Sequence, residues 1–435
     1  TITTVMSEGD VGRDSSIAIG ADGTPVIGVA VATVAHCDNA ACTTSIITKL
    51  AGDPVAGGAP SMAIGADGLP VVSYYDPASS GLKVARCTDA ACSSAGLVTV
   101  DNDGDVGWDS SIEIGADGLP VISYSVLGTP GLRVAHCNDP ACASATISVP
   151  DLEEDLGDSS LAIGADGLPI ITYVDLTPGE GADLRVAHCD DLLCSSAAIT
   201  VVETDGDVGW YPSIAIGTDG LPVLLYADYS RLQLKAAHCE DLGCSTVTVN
   251  PVAGQLTAAQ ETSIAIGVDG LPIISYYDGG AGDLKVAHCN DLRCSAATVT
   301  VVDSEGDVGM EPSVAVGADG LPVISYYDAT NGDLKLAYCH NQRCTETLAA
   351  TPVVSVDPVS GPGGSLVEVT GAGFPAAVPV DITVGAAAVA TVLTGPAGEF
   401  SASVAVPDLP AGKVVVGASW GGISHAVAAF DVTPG

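Results

Sequence analysis

Positive charge is what this chain has least of. Of 435 residues, 13 are Lys or Arg and 53 are Asp or Glu, a formal charge of −40 at pH 7. That balance excludes nucleic acid as a partner, because such binding rests on neutralising phosphates with cationic side chains. Aromatic residues are scarce too, at 4%. No apolar run is long enough for a transmembrane helix, and no segment keeps a helical period of apolar residues. No Asn-x-Ser/Thr sequon occurs, which excludes N-glycosylation by that route. What is present is 47% hydrophobic residues, 52 Gly and 26 Pro. Too apolar for a disordered acidic tail, such a chain is composed for short strands and tight turns.

The cysteines reveal a repeat. All 14 fall into Cys-x4-Cys pairs: Cys37-Cys42, Cys87-Cys92, Cys137-Cys142, Cys189-Cys194, Cys239-Cys244, Cys289-Cys294 and Cys339-Cys344. Successive pairs are spaced by 50 residues, once by 52. The clearest copy, Ser263 to Gly309, reads as four strands. Strand a is Ser263 to Gly267, followed by Asp269-Gly270, the signature of a two-residue hairpin turn. Strand b is Pro272 to Asp278, strand c is Asp283 to Cys289, and strand d, rich in β-branched residues, is Ala297 to Asp303.

Seven copies of a four-stranded antiparallel unit predict an all-β fold: a seven-bladed β-propeller over residues 1–350. Small residues on one face of strand a and Ile on the other suit close packing of twisted sheets about an axis. The segment Thr1 to Gly12 repeats the text of Thr298 to Gly309, so the chain starts with a strand d that has no blade of its own. Residues 1–5 are expected to close the ring as part of blade 7, or to be donated to a neighbouring molecule. The repeats resemble those of secreted bacterial propeller proteins and are loosely similar to sialidase-type propellers.

Repeat text stops after Cys344. Residues 351–435 carry no Cys but hold every Phe of the chain (Phe374, Phe400 and Phe430), so this region builds its own core. Alternating apolar and small polar residues between turns predict a small β-sandwich. Pro358, the turn Ser360-Gly361-Pro362-Gly363-Gly364 and the run Thr370 to Phe374 resemble the IPT/TIG-type immunoglobulin-like domains of bacterial surface proteins. The resemblance implies an Ig-like fold and a spacer or adhesive role.

Each chemical candidate has a plain structural alternative. The Cys pairs read as disulfides of an oxidising compartment, each closing a small loop worth about 2 kcal/mol by chain entropy. His36, His136, His188, His238 and His288 precede five of the pairs, a possible metal set, but Arg86 and Tyr338 stand there in the other two blades. The acidic connector Asp101-Asn102-Asp103-Gly104-Asp105, with Asp109, is the best candidate for calcium, which takes six to eight oxygens. The alternative is a solvated turn. Cations recur on strand c (Lys83, Arg133, Arg185, Lys235, Lys285, Lys335) and tyrosines on strand b (Tyr74, Tyr124, Tyr173, Tyr226, Tyr276, Tyr326). These read as architecture, with Lys paired to carboxylates such as Asp278 and Asp328, and Tyr filling the gap between blades. Glu113 is the one carboxylate inside a strand a, where other blades have Ala.

No arginine cluster, phosphate loop or nucleophile elbow is found, and no catalytic residues are assigned. The expectation is therefore a non-catalytic extracellular or cell-surface structural or adhesive protein. Such a protein would self-assemble head to tail into a filament. The alternatives are a glycan- or Ca-dependent binding propeller and, third, a glycosidase-like enzyme. The start at Thr1 reads as that of a processed mature chain. A thiol titration of the denatured, unreduced protein should find no reactive cysteine; free thiols throughout would break the repeat reading.

Overall fold

The computed structural model describes all residues except 31–32, 51–57, 128–130, 154, 178–180, 254–261, 346–352, 375–377, 386, 396–397, 421–422 and 435. It contains seven four-stranded antiparallel sheets, the blades of a propeller. Blade 3 shows the order: strand a (Asp105–Ile114), b (Pro120–Leu127), c (Leu132–Cys137) and d (Ala145–Asp151), each paired with the next. The a strand of every blade touches the a strands of both neighbours, and that of blade 7 touches that of blade 1. The a strands therefore line the axis. The strand Ile2–Met6 pairs with strand c of blade 7 (Asp333–Tyr338) and serves as its outer strand. First and last parts of the ring are thus joined by hydrogen bonds within one sheet.

Blade packing explains the small residues of strand a. Ala63 of blade 2 lies in one buried cluster with Ile112 and Ile122 of blade 3. Ala162 of blade 4 does the same with Ile214 of blade 5. A larger side chain at the Ala position would push adjacent sheets apart where they converge on the axis.

Polar groups pin the seams further out. At four seams the carboxylate ending strand d of one blade (Asp101, Asp151, Glu203 or Asp303) is held by the Tyr and the cation of the next. Tyr124 donates to Asp101 at 2.7 Å, and so does Arg133, also at 2.7 Å. Tyr326 donates to Asp303 at 2.7 Å, and Lys335 lies 3.4 Å from Asp303 and 2.7 Å from Asp328. Lys285 pairs with Asp278 as the b–c register requires. Burial would make each of these charges costly if unpaired; mutual pairing offsets that cost.

Two local readings need correction. The a–b turn is not a two-residue hairpin. Gly267 N–H donates to Leu271 O and Gly270 N–H to Gly267 O, while Asp269 Oδ1 accepts Leu271 N–H. All seven Cys pairs form disulfides, with Cα–Cα distances of 4.7–4.8 Å. They do not face each other across strands c and d, however. The second Cys lies in the c–d connection with left-handed backbone, φ 48° to 53°.

The C-terminal part forms two further sheets. One contains Val353–Asp357, Leu366–Ala372 and Phe400–Ala405, and the other has five strands, among them Pro379–Val384 and Gly412–Trp420. Phe374, Phe400 and Phe430 are buried there. Among the described residues no helix is long and apolar enough to cross a membrane.

Replacing Tyr326 by Phe removes a buried donor from Asp303. It should lower stability by about 1–3 kcal/mol, read as a shifted urea midpoint with an unchanged far-UV spectrum. An unchanged midpoint would show the seam bond to be dispensable.

Candidate functional site

The site lies where the a strands begin. The residue entering each strand a has left-handed backbone in several blades: Asp14 (φ 49°), Ala59 (33°), Asp109 (47°), Tyr211 (50°) and Glu311 (50°). Such angles are uncommon for residues with a Cβ and mark a local constraint. In blades 3 and 5 they coincide with register shifts between strands a and b, bulges that re-aim the side chain. As a result Asp14, Asp109, Asp158, Tyr211 and Glu311 line one cavity of about 230 Å³ at the axial mouth.

Adjacent serines hold this ring in place. Ser15 bonds Ser325 at 2.8 Å, Ser110 bonds Ser73 at 2.8 Å and Ser159 bonds Ser123 at 2.9 Å, each across a blade boundary. The carboxylates also reach sideways. Glu311 accepts the backbone N–H of Asp14, and Asp14 accepts that of Ala59. Among the described residues, the second oxygens of Glu311 and Asp14 have no protein donor.

No cation neutralises the mouth fully, and the acids respond. Burial, reinforced by the charge of Asp158 and a hydrogen bond to it, pushes Asp109 up to about 7. Burial likewise raises Asp158, against the hydrogen bonds from Asp109 and the Tyr211 backbone that lower it. Burial and then the charge of Asp14 push Glu311 up to about 7. Asp14 is raised by burial. Asp109 and Asp158 thus lie together at the mouth, both raised by burial and Asp109 further by the charge of Asp158. Arg13 is the nearest cation, but it is exposed, stacks on the Tyr327 ring at 4.4 Å and hydrogen-bonds Asp10.

Two indoles lie in the connectors behind the mouth, outside the cavity lining. Trp108, one residue before Asp109, stacks on Tyr75 at 4.0 Å and donates Nε1–H to Asp105 at 3.2 Å. Trp210, one residue before Tyr211, stacks on Tyr229 at 5.5 Å and donates to Asp207 at 2.8 Å. Both indoles are half-buried, so each keeps an accessible edge or face.

The proposed calcium ligands are not brought together. Asp101 is buried under Tyr124 and Arg133, and its Oδ1 accepts the Asp103 N–H at 3.0 Å. Asp105 accepts from Tyr75 and Trp108, while Asp109 faces the axial mouth. Among the described residues no group of three or more His, Cys, Asp or Glu is placed to hold a metal ion. Asp101 was spent on the blade seam, a use invisible without the neighbouring Tyr and Arg. The five His do not point to a common centre either. His36, His136, His188, His238 and His288 each bond the a–b turn Asp of their own blade at 2.8–2.9 Å. Glu113 is exposed at the axis yet enclosed by protein, and burial pushes it up to about 7. Asp14, Asp158 and Glu311 were missed by sequence reasoning. The available signal was the column two residues before the Ser that opens the apolar run of strand a, which is acidic in five blades (Asp14, Asp109, Asp158, Glu261 and Glu311) and Ala59 or Tyr211 in the other two; Glu261 lies outside the described residues.

No family model matches the chain, and no curated protein matches it in sequence. Similar solved structures include a protein of unknown function from Dyadobacter fermentans, at 12% identity and a TM-score of 0.50, covering 78% of this chain and 97% of that one. An α-L-arabinofuranosidase of Fusarium graminearum is 10% identical with a TM-score of 0.48, covering 64% and 92%. A Hadza microbial sialidase is 14% identical with a TM-score of 0.46, covering 72% and 73%. The likeness is one of fold: the chain is a β-propeller.

The expected function needs correction. A non-catalytic structural filament was inferred from regularity that leaves no pocket, but the seven-fold repeat is broken at the mouth, where four carboxyls share a cavity. The similar solved structures are mostly glycosidases, and the fold is one that enzymes share. At 10–14% identity it carries no activity with it.

A raised carboxyl destabilises the fold once the unfolded chain has released its proton. For Asp109 that penalty is absent below about pH 4, grows up to pH 7 and is constant above. Asp109→Asn should therefore raise the thermal midpoint at pH 8 and leave it unchanged at pH 4. Equal shifts at both pH values would contradict the raised carboxyl of Asp109.

Proposed function

We propose that the axial mouth binds a carbohydrate, and that the protein works as a secreted glycan-binding propeller. The observation carrying this reading is the combination of four axial carboxyls with Tyr211, Pro60, Pro212 and Pro312 in the wall of one cavity. Sugars present hydroxyl donors around a ring with apolar C–H faces. Carboxylates accept from the former, and the tyrosine and proline rings cover the latter. A mouth rich in carboxylates disfavours anionic sugars, so the ligand class is neutral or cationic. Seven disulfides, with no membrane-crossing helix among the described residues, fit a secreted protein. The C-terminal sheets are read as an Ig-like sandwich of the IPT/TIG kind.

A second reading, hydrolysis of a glycosidic bond, is favoured by one observation. Burial pushes Asp109 up to about 7, so its carboxyl holds a proton at neutral pH in a cavity that carries other carboxyls. Asp109 would give its proton to the leaving oxygen as the glycosidic bond breaks, while a carboxylate across the cavity and not in contact with it, such as Asp14, takes a proton from the water whose oxygen bonds the sugar carbon.

Isothermal titration with neutral oligosaccharides should show saturable binding that Asp109→Asn with Glu311→Gln weakens by ~10-fold or more. Absence of binding across a broad glycan array would end the first reading. Turnover of aryl glycosides, lost in Asp109→Asn, would replace it with the second.

A further inference from the structure

The seam between blades 2 and 3 also departs from the repeat at the other end of the a strands. In the Cys-x4-Cys loops of blades 4, 5 and 6 the third residue after the first Cys is Leu192, Leu242 or Leu292. These leucines plug the seam behind them. Leu292 lies within 3.3 Å of where a Cβ on Gly217 would stand, and Leu242 packs onto the core shared by blades 4 and 5. Blade 3 has Pro140 at this position. Its compact ring does not reach as far, and the slot remains open as a cavity of about 240 Å³. That exceeds the ~150 Å³ of an apolar protein cavity large enough for benzene.

The walls are mostly apolar, Ala66, Val71, Ile114, Pro120 and Pro140, with the carboxylate of Asp67 at one side. One cation enters them. Arg86 stands where His36, His136, His188, His238 and His288 stand in other blades. It pairs with Asp67, the equivalent turn carboxylate, and donates NH1 to Leu69 O at 3.3 Å. A Cβ on Gly65 would meet this NH1 at 2.7 Å, so glycine is what lets the guanidinium lie against the backbone at the cavity wall.

The fork of Arg86 is incompletely used. Arg185 bridges Asp151 at 3.4 Å and Asp175 at 2.5 Å. Arg231 bridges Asp205 at 2.6 Å and Asp228 at 3.0 Å. Arg86 holds one carboxylate, through NH2, while NH1 rests on a backbone carbonyl. Guanidinium geometry favours planar pairing with carboxylates, more so at a partly dehydrated wall.

We propose that this slot binds a small apolar carboxylate, aromatic or short and branched. Its hydrocarbon part lies against Val71, Ile114 and Pro120, and its carboxylate is the second one taken by Arg86. The site is separate from the axial mouth and does not depend on the carbohydrate reading.

Benzoate is the probe and benzamide its uncharged counterpart, titrated into the full chain and followed by calorimetry and by amide shifts. Benzoate should bind saturably and ~10-fold or more tightly than benzamide, as a charge-assisted bond requires. Arg86→His installs the residue of five other blades and should erase that preference. Pro140→Leu installs the plug of blades 4 to 6 and should abolish binding of both probes, with the thermal midpoint confirming the fold. Absence of saturable benzoate binding, equal affinity for the two probes, or full benzoate affinity in Pro140→Leu would overturn the proposal.

Discussion

A buried carboxylate at the end of an outer strand, gripped by the tyrosine and the cation of the next blade, is the constraint on which the rest of this molecule depends. Asp101 under Tyr124 and Arg133, and Asp303 under Tyr326 and Lys335, are its clearest forms. Each grip joins two sheets at a set distance from the axis, where apolar packing alone would let them slide. It also absorbs cations. The six on strand c are nearly half of the 13 in the chain. With its scarce positive charge committed to the seams, the propeller has little left for the axis. Asp14, Asp109, Asp158 and Glu311 consequently meet at the mouth with no buried counter-ion among the described residues, and burial raises all four, Asp109 and Glu311 to about 7.

Repetition and its exceptions divide the labour. The repeated features are all structural: the Ala–Ile interdigitation, the disulfide loop, the His–Asp tie between turn and strand c. Chemistry gathers where a blade departs from its siblings. At the mouth the strand a entry residue varies among acid, Tyr and Ala, and at the opposite end Pro140 and Arg86 line a slot at the position that leucine occupies in blades 4 to 6. Blades 2 and 3 contribute to both, through Ala59 and Asp109 at one end and Arg86 and Pro140 at the other. A ring of near-identical units acquires a site through few substitutions, because the neighbouring blades already supply the walls.

The period of the cysteines was enough to predict the propeller, the number of blades and the Lys285–Asp278 pairing, because strand order and register follow from local pattern. The candidate site was only partly legible. Asp109 was singled out, but as one of four calcium ligands along a single connector. Asp14, Asp158 and Glu311 lie in separate repeats, 144 and 153 residues apart along the chain. Convergence of distant residues on an axis is not a property of any one segment. Asp101 failed as a ligand for the converse reason: its partners, Tyr124 and Arg133, come from the following blade.

By itself, then, the sequence determined that four-stranded modules recur, that each carries its own Cys pair, and that nearly half of the few cations recur at one position of strand c. These are matters of composition and spacing. Tertiary structure alone decided which acids are seam pins and which face an empty mouth, and that a proline in one loop leaves room beside an arginine. Ring closure decides them, since it sets each side chain against a surface from another repeat, and the free energy of a carboxylate depends on what lies within a few ångströms of it.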